Sequence, residues 1–278
     1  MIQSLNKIRL LGLGQSGFRN CLLLCEMHLT FFGYICDMTK GLLFECCCTT
    51  VGDVVEAIEG GAGRIELCEE LGIGGVTPSE DLIKDVLAVC SRRRDPKEVL
   101  AVCAGRGVPV NVLVRPRGGD FVYDETEAEE MIWQIRLCKS LGVNGVVIGA
   151  LTRNGDVDMP LMRRLIAEAG PLEVTFHRAF DECRDPAAAL EDIISLGCNR
   201  LLTSGHEKSA DEGRGLLAKL VRQAAGRIIV MPGAGINPGN IARIAETSRA
   251  VEFHGSAHGP AGTTDRETVS AIIQRLAA

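Results

Sequence analysis

From Met38 to the C-terminus the chain repeats one unit eight times: a short apolar run, a polar turn, then a segment with helical spacing. The apolar runs, rich in Val, Ile, Leu and Phe, lie at 42–48, 64–69, 109–115, 145–151, 173–179, 200–205, 228–232 and 250–256. Helices are expected near 52–60, 79–90, 125–141, 158–169, 185–196, 211–225, 238–247 and 264–277. In 125–141, for example, Met131, Ile132, Ile135, Cys138 and Leu141 recur at the spacing of one helix face, with charged residues between them. Asp185-Pro186 and Asn237-Pro238 place a capping side chain before a proline, as a helix start prefers. Strand-then-helix repetition makes the strands parallel, and parallel strands need both faces covered. Eight such units suit closure into a single (β/α)8 TIM barrel, an α/β fold. The alternative is an open doubly wound sheet, but no Gly-x-Gly-x-x-Gly follows the first strand. The longest connection contains residues 91–107, and no Ser- or Gly-rich linker marks a second domain after Met38.

Residues 1–37 break the rhythm and are expected to form a poorly ordered N-terminal extension ahead of a barrel domain over 38–278. Their apolar stretch, 21–36, is too short for a spanning helix and contains Glu26 and His28. No small-residue cleavage site precedes Met38, so no export signal is read there. The net charge of −6 and the lack of a basic, aromatic-rich stretch argue against nucleic acid or an anionic membrane as partner. The one basic run, Arg92–Arg94, reads as a solvated helix end. The twelve cysteines include three in succession, Cys46–Cys48, and form no CxxC pair. They read as free thiols of a reducing, cytoplasmic setting.

Residues two apart on a strand point the same way. Four strands put polar residues at that spacing where packing alone would select Val or Ile: Glu45 and Cys47, Glu66 and Cys68, Thr175 and His177, Glu252 and His254. Charge is costly against a helix layer, so these side chains are expected inside the barrel. Glu45, Glu66, Thr175 and Glu252 are then expected one layer below Cys47, Cys68, His177 and His254. Cys46 and Cys48 have the opposite parity and are expected against the helices. Two thiols on adjacent strands with histidines nearby suit a soft ion, Cu(I) or Zn(II). Buried cysteines also serve as small hydrophobes, and the glutamates could simply pair with Arg115, Arg178 or each other.

A second group suits an anion. The Gly233–Asn237 loop after strand seven, with Gly233, Gly235 and Asn237, and Ser256 after strand eight offer bare N–H groups and short polar side chains where barrels commonly hold phosphate. Arg115, Arg117 and Asp120 follow strand three at the same mouth. On this reading the chain is an enzyme for a small anionic metabolite, with His177, Glu252, His254 and Glu66 near the chemistry. No lysine lies on a strand, which disfavours a Schiff base, and Gly-x-Ser-x-Gly is absent.

The segments AGRIELCEELGIGGVTPS (62–79), VRPRGGDFVY (114–123), GVVIGALTRNGDVD (145–158), VTFHRAFDECRDP (174–186), LLTSGHEKSADEG (201–213), IIVMPGAGI (228–236) and EFHGSA (252–257) together resemble the CutC family of copper homeostasis proteins. They occur in family order and span nearly everything after Met38. The resemblance implies a TIM barrel, a cytoplasmic location and a homo-oligomer. It also implies a Cu(I) site with one cysteine on each of the first two strands, which falls on Cys47 and Cys68. Residues 1–37 have no family counterpart, and the 91–107 segment is longer than usual.

Overall fold

The computed structural model describes residues 41–91 and 107–277. The expected extension over 1–37, the Arg92–Arg94 run and most of the 91–107 connection lie outside the described residues. The strands are β1 (Leu43–Cys48), β2 (Arg64–Leu67), β3 (Val110–Leu113), β4 (Gly145–Ile148), β5 (Glu173–Phe176), β6 (Arg200–Thr203), β7 (Ile229–Pro232) and β8 (Glu252–Gly255). The helices are α1 (Val51–Gly60), α2 (Glu80–Cys90), α3 (Glu125–Leu141), α4 (Met159–Ala169), α5 (Pro186–Ser195), α6 (Arg214–Ala224), α7 (Ile241–Ser248) and α8 (Arg266–Ala277). All strand pairs are parallel, in the order β7-β6-β5-β4-β3-β2-β1-β8. The two end strands, β7 and β8, pack against each other and bring the sheet round into a nearly closed barrel. No helix among the described residues is long and apolar enough to cross a membrane.

Strand parity divides the barrel into two environments. Phe44, Ile65, Val112, Ile148, Phe176 and Phe253 point outward and, with the inner faces of the helices, form the main apolar core. Cys46 and Cys48 belong to that core, as their parity requires. The inward positions are unusually polar for this fold, whose interior is ordinarily filled by branched aliphatics. Glu45, Arg64, Glu66, Asn111, Thr175, Arg200, Glu252 and His254 are all buried.

Local capping agrees with the sequence reading in most places. Asp185 accepts hydrogen bonds from the N–H groups of Ala187 and Ala188 at the start of α5. At α7 the start shifts: Asn237 accepts from Gly239 N–H and makes a turn, and the helix begins only after Asn240. The entry to α1 is the most connected cap. Asp53 accepts from the N–H groups of Thr49 and Thr50 at 3.2 and 3.1 Å, and its other oxygen accepts from Thr264 N–H at 3.1 Å. It thus ties the loop after β1 to the chain after β8. Asp53→Ala is expected to lower stability by about 2 kcal/mol, seen as a lower urea midpoint with an unchanged slope.

Candidate functional site

A cavity of about 470 Å³ opens at the C-terminal ends of the strands. Cys47 of β1 and Cys68, just beyond β2, meet in its wall with their Sγ atoms 3.6 Å apart. Both are buried. The Cys47 thiol also donates to Glu66 Oε1 at 3.9 Å. Cys68, burial and Glu66 together push the Cys47 thiol well above its ordinary range. Donor atoms of Cys47, Glu66 and His254 lie within 4.8 Å of one another, close enough to share one ion.

The layer order differs from the one expected. In register, His254 is level with Glu45, and Cys47 is level with Glu66. His254 therefore sits beside the glutamates rather than one layer above them: Nδ1 donates to Glu45 Oε1 at 2.9 Å and lies 3.9 Å from Glu66 Oε2. Closing a parallel barrel staggers the strands, so counting two residues up each strand does not define a common layer.

Beneath the cavity floor the carboxylates are held by strand-borne arginines. Arg64 pairs with Glu45 and, at 2.5 Å, with Glu252; Arg200 pairs with the same Glu252 oxygen at 2.7 Å and with Glu173 at 2.7 Å. Neither Arg115 nor Arg178 holds these glutamates. Arg64 and Arg200 escaped the sequence reading, although each stands at an inward position of its strand: Arg64 shares the parity of Glu66 and Cys68. Glu252 is thus engaged in the ion pairs below the floor and does not line the cavity.

Burial and neighbours set four ionisations. Burial would raise Glu45, but the Arg64 charge and the His254 hydrogen bond hold it down at about 2. Burial dominates at Glu66 and lifts it to about 7. His254 loses ground to burial but gains more from Glu66 and Glu45, and rises to about 9. Burial, helped by the Arg115 charge, lowers His177 to about 3. Glu66 and His254 hold their protons more tightly in the folded state than in the unfolded chain. Their stabilising contribution is therefore full below the unfolded values of 4.5 and 6.5 and is lost as pH rises through 7 and 9. Glu45 has the opposite sign: its contribution is present above 4.5 and lost as pH falls toward 2. Urea midpoints are expected to fall as pH rises from 4.5 through 9, and Glu66→Gln should remove the part of that fall lying between 4.5 and 7.

Arg115, Phe121 and His177 also line the cavity. His177 follows β5, and its Nδ1 accepts from Ala179 N–H at 3.1 Å, which puts the ring proton of the neutral form on Nε2. The ring packs onto Gly149, where an added Cβ would lie 2.6 Å from Nδ1. Gly235, Asn237 and Ser256 line the same cavity, whereas Gly233 lies against Leu202 and His254. Arg117 and Asp120 do not reach the cavity. Arg117 is engaged by Glu127 at 2.5 Å, by Asp120 at 3.0 Å and by the Val122 carbonyl at 2.9 Å, and so shapes the loop after β3.

The fold and this cavity define a TIM-barrel protein with a buried thiol, imidazole and carboxylate cluster at the C-terminal face of the barrel. The chain belongs to the CutC family, whose model matches residues 42–259. It is 49% identical over 215 residues to a family protein CutC of Parabacteroides distasonis, covering 77% of this chain and 82% of that one. It is 48% identical over 218 residues to a mouse protein named copper homeostasis protein cutC homolog, covering 78% and 74%. Among solved structures, the putative copper homeostasis protein CutC of Streptococcus agalactiae superposes with a TM-score of 0.70 at 29% identity. That match covers 77% of this chain and 98% of the other.

Proposed function

We propose that this protein takes part in copper homeostasis by binding Cu(I) through the thiolates of Cys47 and Cys68. The observation that carries the reading is the thiol pair itself, two buried sulfurs 3.6 Å apart beside an open cavity. Two thiolates on a tetrahedral ion with bonds of ~2.3 Å stand about 3.8 Å apart, so the separation suits a shared ion with little movement. Soft thiolates select Cu(I), and His254 supplies the neighbouring positive charge that two thiolates around a monovalent ion require. Capture of the ion displaces the thiol protons. Cytoplasmic location and self-association belong to the same reading, and the free thiols Cys46, Cys47, Cys48, Cys68, Cys138, Cys183 and Cys198 accord with a reducing setting.

The test is an anaerobic Cu(I) titration of the purified protein against a competing chelator. One equivalent held against the chelator supports the reading, and an absence of competition removes it. Light scattering on the same sample tests the expected homo-oligomer.

A further inference from the structure

Arg115 is a buried cation that lacks an acidic partner among the described residues. It is 4% exposed. Its Nη1 donates to the carbonyls of Ile73 and Gly75 at 3.3 and 3.0 Å, and Nη2 donates to Gly119 at 2.6 Å. A guanidinium carries five N–H bonds, so these three leave Nε–H and one hydrogen on Nη2. Nε is indeed buried without a partner. Nε and Nη2 form one edge of the guanidinium, the edge that pairs in parallel with the two oxygens of a carboxylate. A guanidinium taken out of water costs free energy that carbonyl dipoles alone only partly return, and an anion returns more.

His177 presents the second donor. It is 5% exposed, and its Nε2 is buried without a partner. Because Nδ1 accepts from Ala179, Nε2 carries the hydrogen, so the imidazole faces a ligand as a donor and not as a base. The two groups stand around one aromatic ring: Arg115 Cζ is 4.7 Å and the His177 centroid 4.9 Å from the centre of Phe121. All three line the cavity.

We propose that the cavity binds a small organic acid, its carboxylate seated on the free fork of Arg115 and the Nε2–H of His177. A planar monoanion fits better than a phosphate, since the seat offers one formal charge and three donors. The seat shares no residue with the thiol cluster, although both line one cavity. It also gives His177, expected near the chemistry, the part of a hydrogen-bond donor.

The experiment uses the full chain, reduced and metal-free, with 15N-labelled histidine. Propionate, its uncharged isostere propionamide and inorganic phosphate are titrated at matched ionic strength while the imidazole nitrogens are followed by NMR. His177 is assigned from the spectrum of His177→Gln, and His206, outside the cavity, serves as reference. The expected result is a saturable shift of His177 Nε2 with propionate alone, weakened about ten- to a hundredfold in Arg115→Gln. Arg115 also braces three carbonyls and its variant can misfold, so the propionate–propionamide comparison on the unaltered protein stands by itself. Equal response to both, or to neither, overturns the proposal. Silence toward both is the outcome if the Tyr123 hydroxyl, beside the same guanidinium and itself without a partner, turns to accept from Nε and closes the fork. A response to phosphate in place of propionate overturns the carboxylate assignment.

Discussion

Replacing Cys47 and Cys68 together with serine is expected to weaken Cu(I) binding by well over a hundredfold while leaving the fold intact. Loss of a partner that merely orients a metal ligand costs about 10- to 100-fold in affinity, and removal of both soft donors must exceed that. Serine keeps the volume and a hydrogen-bonding group, so the wall loses little packing. The single variant Cys68→Ser should fall in between, since Cys47 stays within 4.8 Å of Glu66 and His254. Cys46→Ser and Cys48→Ser provide the control. Their side chains face the helices, so they should cost stability without altering the metal affinity. If the double variant binds Cu(I) as tightly as the unaltered chain, the metal lies elsewhere and the thiol pair is only packing.

The second large effect concerns Arg64. Arg64→Met, close in volume, is expected to destabilise the barrel by about 3–5 kcal/mol, because it leaves buried Glu45 with His254 alone and Glu252 with Arg200 alone. The same substitution acts on the pH dependence. Without Arg64 the Glu45 carboxyl is no longer held at about 2, so the variant should lose its carboxylate charge at much milder acidity. Pairing Arg64→Met with Glu45→Gln should restore part of the loss, since the unpaired charge is then gone. Urea unfolding of both variants and the double variant forms the cycle that measures the coupling. A loss below about 1 kcal/mol in the single variant would mean that water reaches the floor and screens it.

The strand and helix segments are legible in the chain alone because burial on both faces imposes long apolar runs, and because the caps are local side-chain chemistry. Cys47, Cys68, Glu66 and His254 are legible as inward residues from strand parity, which is also local. Their relative heights are not: the pairing of Glu45 with His254 depends on the stagger between strands more than 200 residues apart in sequence. Arg64 and Arg200 are hidden for a related reason, since an arginine at a strand start ordinarily reaches solvent. Only the closed ring turns them toward Glu252. Arg117 shows the reverse case, an arginine placed by sequence at the mouth and drawn instead to the Glu127 carboxylate and nearby carbonyls. The proton position on His177 rests on one backbone N–H two residues on, a contact that no spacing rule encodes.

The position of Glu252 bears on how the chain is made. One carboxylate oxygen in the last strand accepts from Arg64 in the second and Arg200 in the sixth. On the ribosome, both arginines emerge long before the group that neutralises them together. A nascent chain ending after β7 has Arg64 beside Glu45 and Arg200 beside Glu173 but lacks the carboxylate that joins the two arginines in a closed ring. Neither half of the barrel is therefore a sound resting state, and consolidation waits for the final strand. Premature termination before Glu252 should send this protein to the proteases rather than yield a smaller working barrel.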